Sequence, residues 1–306
     1  MKSKKILILI MNSDLYPSNT IVPFIKNTFL RKDHLSLNIG QYEFPRMKNS
    51  EFRDTPFIFF QGGSEKVYFK NNTLYLMHKK DLITQPDRVL DCFEWALENI
   101  EFDYIYRTTT TAYLNIEKLY KFIQDKSETS FYAGPEMYHL DKENNRRIKF
   151  GSGAGFFLSK DVVLKVIKNR NKWDYRYLDD VSLGKLLIQD LQIDLESIER
   201  QDFKKYPLFR DIDFNQFHYR FRLDLWGYPR ILEPLVLISL HLKINFLKNP
   251  KKLKQLKIYF YDVICLFIFL LAKFTYLIPK YKELIKKSKL FLKKFVFFRR
   301  IKKIFF

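Results

Sequence analysis

Tyr104-Ile105-Tyr106-Arg107-Thr108-Thr109-Thr110-Thr111-Ala112-Tyr113-Leu114-Asn115 decides how this chain is read. Residues 102–106 form an apolar strand. A polar cluster of one arginine and four threonines follows, and a helix over 116–123 comes next. Ligands of open α/β sheets collect beyond the carboxyl ends of the strands, which is where Arg107 and the threonines stand. Four threonines also fit a plain β-rich turn, because Thr favours extended backbone.

Working outward, Lys5 to Met11 is a continuous apolar run, as in a parallel strand covered on both faces. Asn12, Ser13, Asp14, Pro17 and Ser18 break it. Residues 21–30 read as a helix, and 55–60 and 74–77 as strands. Residues 86–100 put Val89, Leu90, Phe93, Ala96 and Leu97 on one helical face, with Asp87 as a candidate cap. Further on, 130–134 reads as a strand, and 161–170, 181–191 and 231–246 as helices. Strands alternating with helices predict an α/β sheet.

The 306 residues carry a net charge of +20, unevenly spread. From Lys248 to Phe306 there are 17 Lys/Arg against 2 acids, so most of the excess lies in the tail. This predicts a body over 1–247 and a basic, aromatic, amphipathic helical tail over 248–306. Charge segregated onto an apolar tail points to an anionic membrane surface, contacted through 258–306, rather than to nucleic acid. No zinc, RRM or helix-turn-helix pattern is present. Two cysteines, Cys92 and Cys265, give neither a metal spacing nor a disulfide framework, as in a reducing compartment. The N-terminal apolar run is too short for a spanning helix and lacks a small-residue cleavage site.

Within the tail, Val263 to Ala272 is an apolar run between Asp262 and Lys273. A bilayer span needs about 20 such residues. The wider stretch 258–278 therefore reads as a helix in the membrane interface or packed on the body, in preference to a span. Asp262 and Lys273 share one edge of it. Residues 280–295 put lysines on one arc and Leu284, Ile285, Phe291, Leu292 and Phe295 on the other, a basic amphipathic helix.

Three further segments carry chemistry. Gly151-Ser152-Gly153-Ala154-Gly155 is either a backbone that approaches a ligand or a tight bend feeding a strand. No Gly-Lys-Ser/Thr follows, so it is not a P-loop. Asp179-Asp180 opens a helix, so each acid is either a helix cap or a carboxylate that takes a proton from an attacking hydroxyl. In Phe217-His218-Tyr219-Arg220-Phe221-Arg222, alternation puts His218, Arg220 and Arg222 on one face, suited to phosphate.

In order and spacing these segments resemble the fringe-like, β-1,3-galactosyltransferase-like glycosyltransferases, over roughly residues 5–245. Arg107-Thr108-Thr109-Thr110-Thr111-Ala112-Tyr113-Leu114-Asn115 takes the place of that family's Lys-Thr-Asp-Asp-Asp-Val-Phe-Val-Asn-like run. Ser152-Gly153-Ala154-Gly155-Phe156-Phe157-Leu158-Ser159 is similar to its Ser-Gly-x-Gly-Tyr-x-x-Ser. Asp179-Asp180-Val181-Ser182-Leu183-Gly184 is similar to its Glu-Asp-Val-x-x-Gly, and His218 to its late histidine.

The resemblance implies a GT-A-type, Rossmann-like nucleotide-diphospho-sugar transferase fold with a membrane-interacting helical extension. It implies an inverting hexosyltransferase that moves a sugar from a nucleotide-sugar donor to a hydroxyl of a cell-surface glycan precursor, a free or lipid-linked glycan. Asp180, beside Asp179, takes the role of base. Donor contacts fall to Arg107, Thr109, Thr111, Ser13, His218 and Arg220, and the substrate loop to Gly153, Ala154 and Gly155. The family holds Mn²⁺ on its acidic triplet. Here Thr109 and Thr111 replace those acids, and a neutral hydroxyl leaves a hard cation unbalanced. The expectation is therefore that no metal is required, with Mn²⁺ kept as the family's alternative. The other reading is a non-catalytic relative that binds sugar nucleotides or glycans. The place expected for the protein is the cytoplasm, peripherally on the inner face of the membrane.

Overall fold

The computed structural model describes residues 4–31, 43–48, 57–79, 81, 83–141, 143, 145–248 and 252–277. The amphipathic helix expected over 280–295 lies outside them, as do Asn249 and Pro250 at the expected boundary.

The chain builds a mixed α/β structure around an eight-stranded, parallel-rich sheet. Its strands are β1 (Ile6–Met11), β2 (Phe57–Gln61), β3 (Tyr68–Lys70), β4 (Thr73–Tyr75) and β5 (Tyr104–Thr109). After β6 (Ala112–Leu114), in a side sheet, the main sheet continues with β7 (Tyr132–Gly134). A hairpin of β8 (Glu136–Asp141) and β9 (Arg146–Gly151) follows, then β10 (Gly155–Ser159) and β11 (Leu195–Ser197) of the main sheet. Spatial order is β11-β7-β10-β5-β1-β2-β4-β3. β1 is parallel to both β2 and β5, and β10 runs antiparallel to β5 and β7.

β1 shows why its sequence is apolar throughout. Ile6, Ile8 and Ile10 enter one core cluster, Leu7 and Leu9 the other, and all five are buried. Each such side chain contributes about 1.5–3 kcal/mol on burial. On the Leu7/Leu9 face lie α2 (Gln85–Asn99) and α4 (Lys160–Lys168). On the isoleucine face lie α1 (Ser18–Lys26), α3 (Ile116–Gln124) and two C-terminal helices, α6 (Glu233–Lys248) and α7 (Lys252–Leu277). Asp87 does not cap α2. Thr84 holds the cap position, and Asp87 sits in the first turn, where its charge complements the helix dipole.

The threonine turn after β5 leads straight into β6. β6 pairs antiparallel with β12 (His218–Arg220), which pairs in parallel with Gln201–Asp202. This three-stranded side sheet stands beside the carboxyl ends of β1 and β5.

α7 is locked onto α6. Tyr261, Cys265 and Phe269 are buried in the isoleucine-side core. The Asp262 carboxylate accepts from Tyr206 at 2.6 Å and pairs with the buried Lys243 ammonium at 2.8 Å. Asp262 therefore points into the body, because a buried lysine needs a counter-charge. Among the described residues no helix is long and apolar enough to cross a membrane.

Candidate active site

The structure brings the glycine segment, the acid pair and Arg107 together. α5 (Asp179–Lys185) begins with both aspartates in its first turn. The cap position belongs to Leu178, and neither acid caps the helix. Arg107, on β5, is 1% exposed and donates through Nη2 to Asp179 Oδ2 at 2.6 Å. Gln85 donates to the other oxygen, Asp179 Oδ1. Asp179 is thus held at both oxygens, and Arg107 is buried beside the glycine loop with its Nε left without a partner.

Asp180 is held differently. The Gly153 N–H donates to Oδ2 at 2.8 Å and the Val181 N–H to Oδ1 at 3.0 Å. Burial, then the neighbouring Asp179 charge, push its pKa up to about 6, against the pull of the Gly153 N–H and Arg107. The contact needs glycine, because a Cβ on residue 153 would lie 2.7 Å from Arg107 Nη1 and 2.8 Å from Asp180 Oδ2. Gly155 is likewise packed against the His218 ring and the Tyr106 hydroxyl. Close approach, rather than a left-handed turn, is what both glycines provide, since neither has a positive φ. Ala154 is fixed through its carbonyl, which accepts from Thr108 Oγ1 at 2.6 Å.

His218 is fully buried, with Nδ1 2.8 Å from the Tyr106 hydroxyl and no partner for Nε2. Burial, then the charges of Arg200 and Arg220, hold its pKa well below the usual histidine range. Arg220 lies on the same strand face, with Nη1 3.8 Å from Asp202 Oδ2 and Nε unpartnered. Arg222 falls past the end of β12, exposed and paired with Asp224 at 3.3 Å, so it leaves the expected row.

The threonine hydroxyls all have partners close by. Thr109 Oγ1 and Thr111 Oγ1 are 3.0 Å apart, and Thr110 Oγ1 is 3.4 Å from Ser18 Oγ. Ser13, past the end of β1, accepts from Leu15 N at 3.1 Å within its own turn and is not drawn into the acid cluster. Among the described residues no three His, Cys, Asp or Glu side chains gather as a metal set. Two neutral hydroxyls and a histidine held by Tyr106 do not fit Mn²⁺.

One residue escaped the sequence reading. Arg200 places Nε and Nη2 on Asp202 at 2.6 and 3.0 Å and donates through Nη1 to Ser152 Oγ at 2.9 Å. The signal available was the alternation Arg200-x-Asp202, matching His218-x-Arg220 across the strand pair.

No protein-family model matches the chain, and no curated protein sequence matches it. One solved structure with some likeness is a glycosyltransferase involved in the glycosylation of the major capsid of PBCV-1. It is 13% identical, covering 75% of this chain and 96% of that one, with a TM-score of 0.38. Likeness at that level assigns neither fold family nor activity.

Proposed function

We propose that this chain is an inverting, metal-independent glycosyltransferase of the GT-A type, acting on a nucleotide-sugar donor and a hydroxyl of a glycan precursor. The observation that carries the reading is Asp180, a carboxylate pinned to the glycine loop beside the carboxyl end of β5; burial and the adjacent Asp179 charge raise its pKa. At neutral pH such a group is mostly ionised yet more basic than an ordinary aspartate, which suits a general base. The acceptor oxygen attacks the anomeric carbon and Asp180 takes its proton. The bond from that carbon to the phosphate oxygen breaks, and the nucleoside diphosphate leaves. A single displacement inverts the centre. Asp179 serves as a brace, since Arg107 and Gln85 fill it.

The acceptor side is assigned to a groove of about 550 Å³ that shares Asp202 with the arginine face and is also lined by Lys204, Trp226 and Tyr228. Trp226 is 46% exposed, a flat apolar face of the kind on which a sugar ring stacks. Tyr228 touches Phe269 of α7, with ring centroids 5.3 Å apart, so the groove adjoins that helix. The outer face of α7 exposes Tyr259, Phe260, Val263, Phe267, Leu270 and Leu271. With the lysine-rich sequence that follows, this ridge supports a peripheral seat on the anionic, cytoplasmic face of a membrane and a lipid-linked acceptor.

The test is turnover. The full chain is incubated with a panel of sugar nucleotides and glycan acceptors, in chelator and in Mn²⁺, and nucleoside diphosphate release is measured. Release in chelator is expected. Absence of release and of any thermal shift under both conditions overturns the reading. A second reading, binding without turnover, is favoured by the threonines that stand in place of acids. It predicts thermal shifts without release.

A further inference from the structure

The side sheet carries more positive charge than its own carboxylate balances. Asp202 pairs with Arg220 across the parallel strands, and Gln201 with Tyr219, so alternation puts Arg200, Asp202, His218 and Arg220 on one face. Tyr219 points the other way, into the core. Arg200 and Arg220 both pair with the Asp202 carboxylate, one closely and one at 3.8 Å, and the Asp180 charge beyond it also reaches Arg220. The Arg200 side chain is only 6% exposed and that of Arg220 21%. A surplus cation in so dry a place is costly without a further anion.

Two unmet donors lie on this face. Arg220 Nε is buried without a partner, and so is His218 Nε2. If the Tyr106 hydroxyl donates to Nδ1, the proton of the neutral ring sits on Nε2, making it a donor. Ser152 Oγ accepts from Arg200 Nη1 and, at 3.4 Å, from Ala154 N, which leaves its own hydrogen to give. Ser152 is the residue before Gly153, so these donors adjoin the loop that holds Asp180.

We propose that Arg200 and Arg220, with Ser152 Oγ and His218 Nε2, form a diphosphate site that takes the place of a divalent cation at the donor. The inference rests on the glycosyl-transfer reading for its physiological ligand, and on the charge and donor geometry of the side sheet for its existence. Planar guanidinium groups grip phosphate oxygens bidentately, and fixed donors stabilise the charge that grows on the leaving diphosphate. Arg220, whose hold on Asp202 is long, is the group free to turn to the incoming anion, while Arg200 stays fixed between Asp202 and Ser152.

The probe is inorganic pyrophosphate, titrated calorimetrically into the full chain in excess chelator. Binding is expected without metal, weakened about 10- to 100-fold in Arg220→Met and in Arg200→Met. Arg222→Met, which removes a charge off this face, is the control and keeps affinity. Should Arg200→Met fail to fold, Arg220→Met and Arg220→Lys carry the test, with a partial loss expected for lysine. Binding that requires Mn²⁺, or that survives both methionine variants, overturns the site and leaves glycosyl transfer standing. Pyrophosphate bound as described, with no sugar nucleotide turned over under any condition, keeps the site and removes the transfer reading.

Discussion

Two arginine–carboxylate contacts stand near each other and are built in opposite ways. Arg107 and Asp179 form a closed pair, one cation to one anion at 2.6 Å, with side chains 1% and 3% exposed. Arg200 and Arg220 form an open set, two cations to one carboxylate, with the second contact stretched to 3.8 Å. The closed pair is balanced in charge, though Arg107 Nε is left without a partner, so its effect is mainly on the position and charge of its neighbour Asp180. The open set has donors and charge to spare. Residue type does not separate these roles; stoichiometry and burial do.

The largest effect belongs to Asp180, which the closed pair braces. Asp180→Asn keeps an oxygen for the Gly153 N–H and removes the base. Turnover is expected to fall about 10²- to 10⁴-fold with pyrophosphate affinity unchanged. Stability is expected to hold or rise, because the replaced carboxylate is one whose charge the fold disfavours. A variant with full turnover would dismiss Asp180 as the base.

Next comes the closed pair itself. Arg107→Met leaves Asp179 as a buried carboxylate without its cation and is expected to cost about 3–5 kcal/mol in denaturant unfolding. Arg220→Met, on the open set, removes a surplus cation and should leave stability unchanged or raise it. If the two costs came out equal, the distinction between closed and open would be lost.

The pH profile sharpens the same contrast. A base with pKa near 6 gives kcat/KM a limb that falls about tenfold per unit below that value and is level above it. The linked stability runs the other way. The folded-state pKa lies above the ordinary carboxylate value, so between about pH 4 and about pH 6 the folded state binds more protons than the unfolded. Stability from this group is therefore present at low pH and lost as pH rises through that window. Comparing wild type with Asp180→Asn isolates it: their difference in thermal midpoint should widen in favour of the variant from pH 4 to pH 6.

How much of this was readable beforehand follows from element length. β1, α2, α3 and α4 are long enough to show a period, and they fall within a few residues of the spans read from the sequence. β6 and β12 are three residues each, and the Gln201–Asp202 strand is two, too short for any periodic signal. The hairpin of β8 and β9 shows little in the sequence because Met137 to Leu140 are all exposed and only Ile148 and Phe150 alternate inward in β9. The acid pair and the glycines were legible as candidates, but their division of labour was not. Asp179 and Asp180 differ through what faces them from β5, α2 and the glycine loop, a tertiary fact. Arg200 carried only the faint signal of its alternation with Asp202, since strand pairing is what brings it to Ser152.

The smallest expected effect is also the most direct probe of stoichiometry. Asp202→Asn removes the one negative charge that the two arginines share while keeping a side chain of similar shape and an oxygen for Arg200. The Asp202 side chain is 40% exposed, so its charge is partly screened and its loss should be worth no more than about 1 kcal/mol. On a closed pair such a change would weaken the site, because the cation would lose its partner and its position. On an open set it removes a competitor, so pyrophosphate affinity in chelator should rise about two- to fivefold. The sign is what matters. A fall in affinity would mean that Asp202 orders the arginines more than it competes for them, and the side sheet would then be a second closed pair rather than a cradle waiting for phosphate.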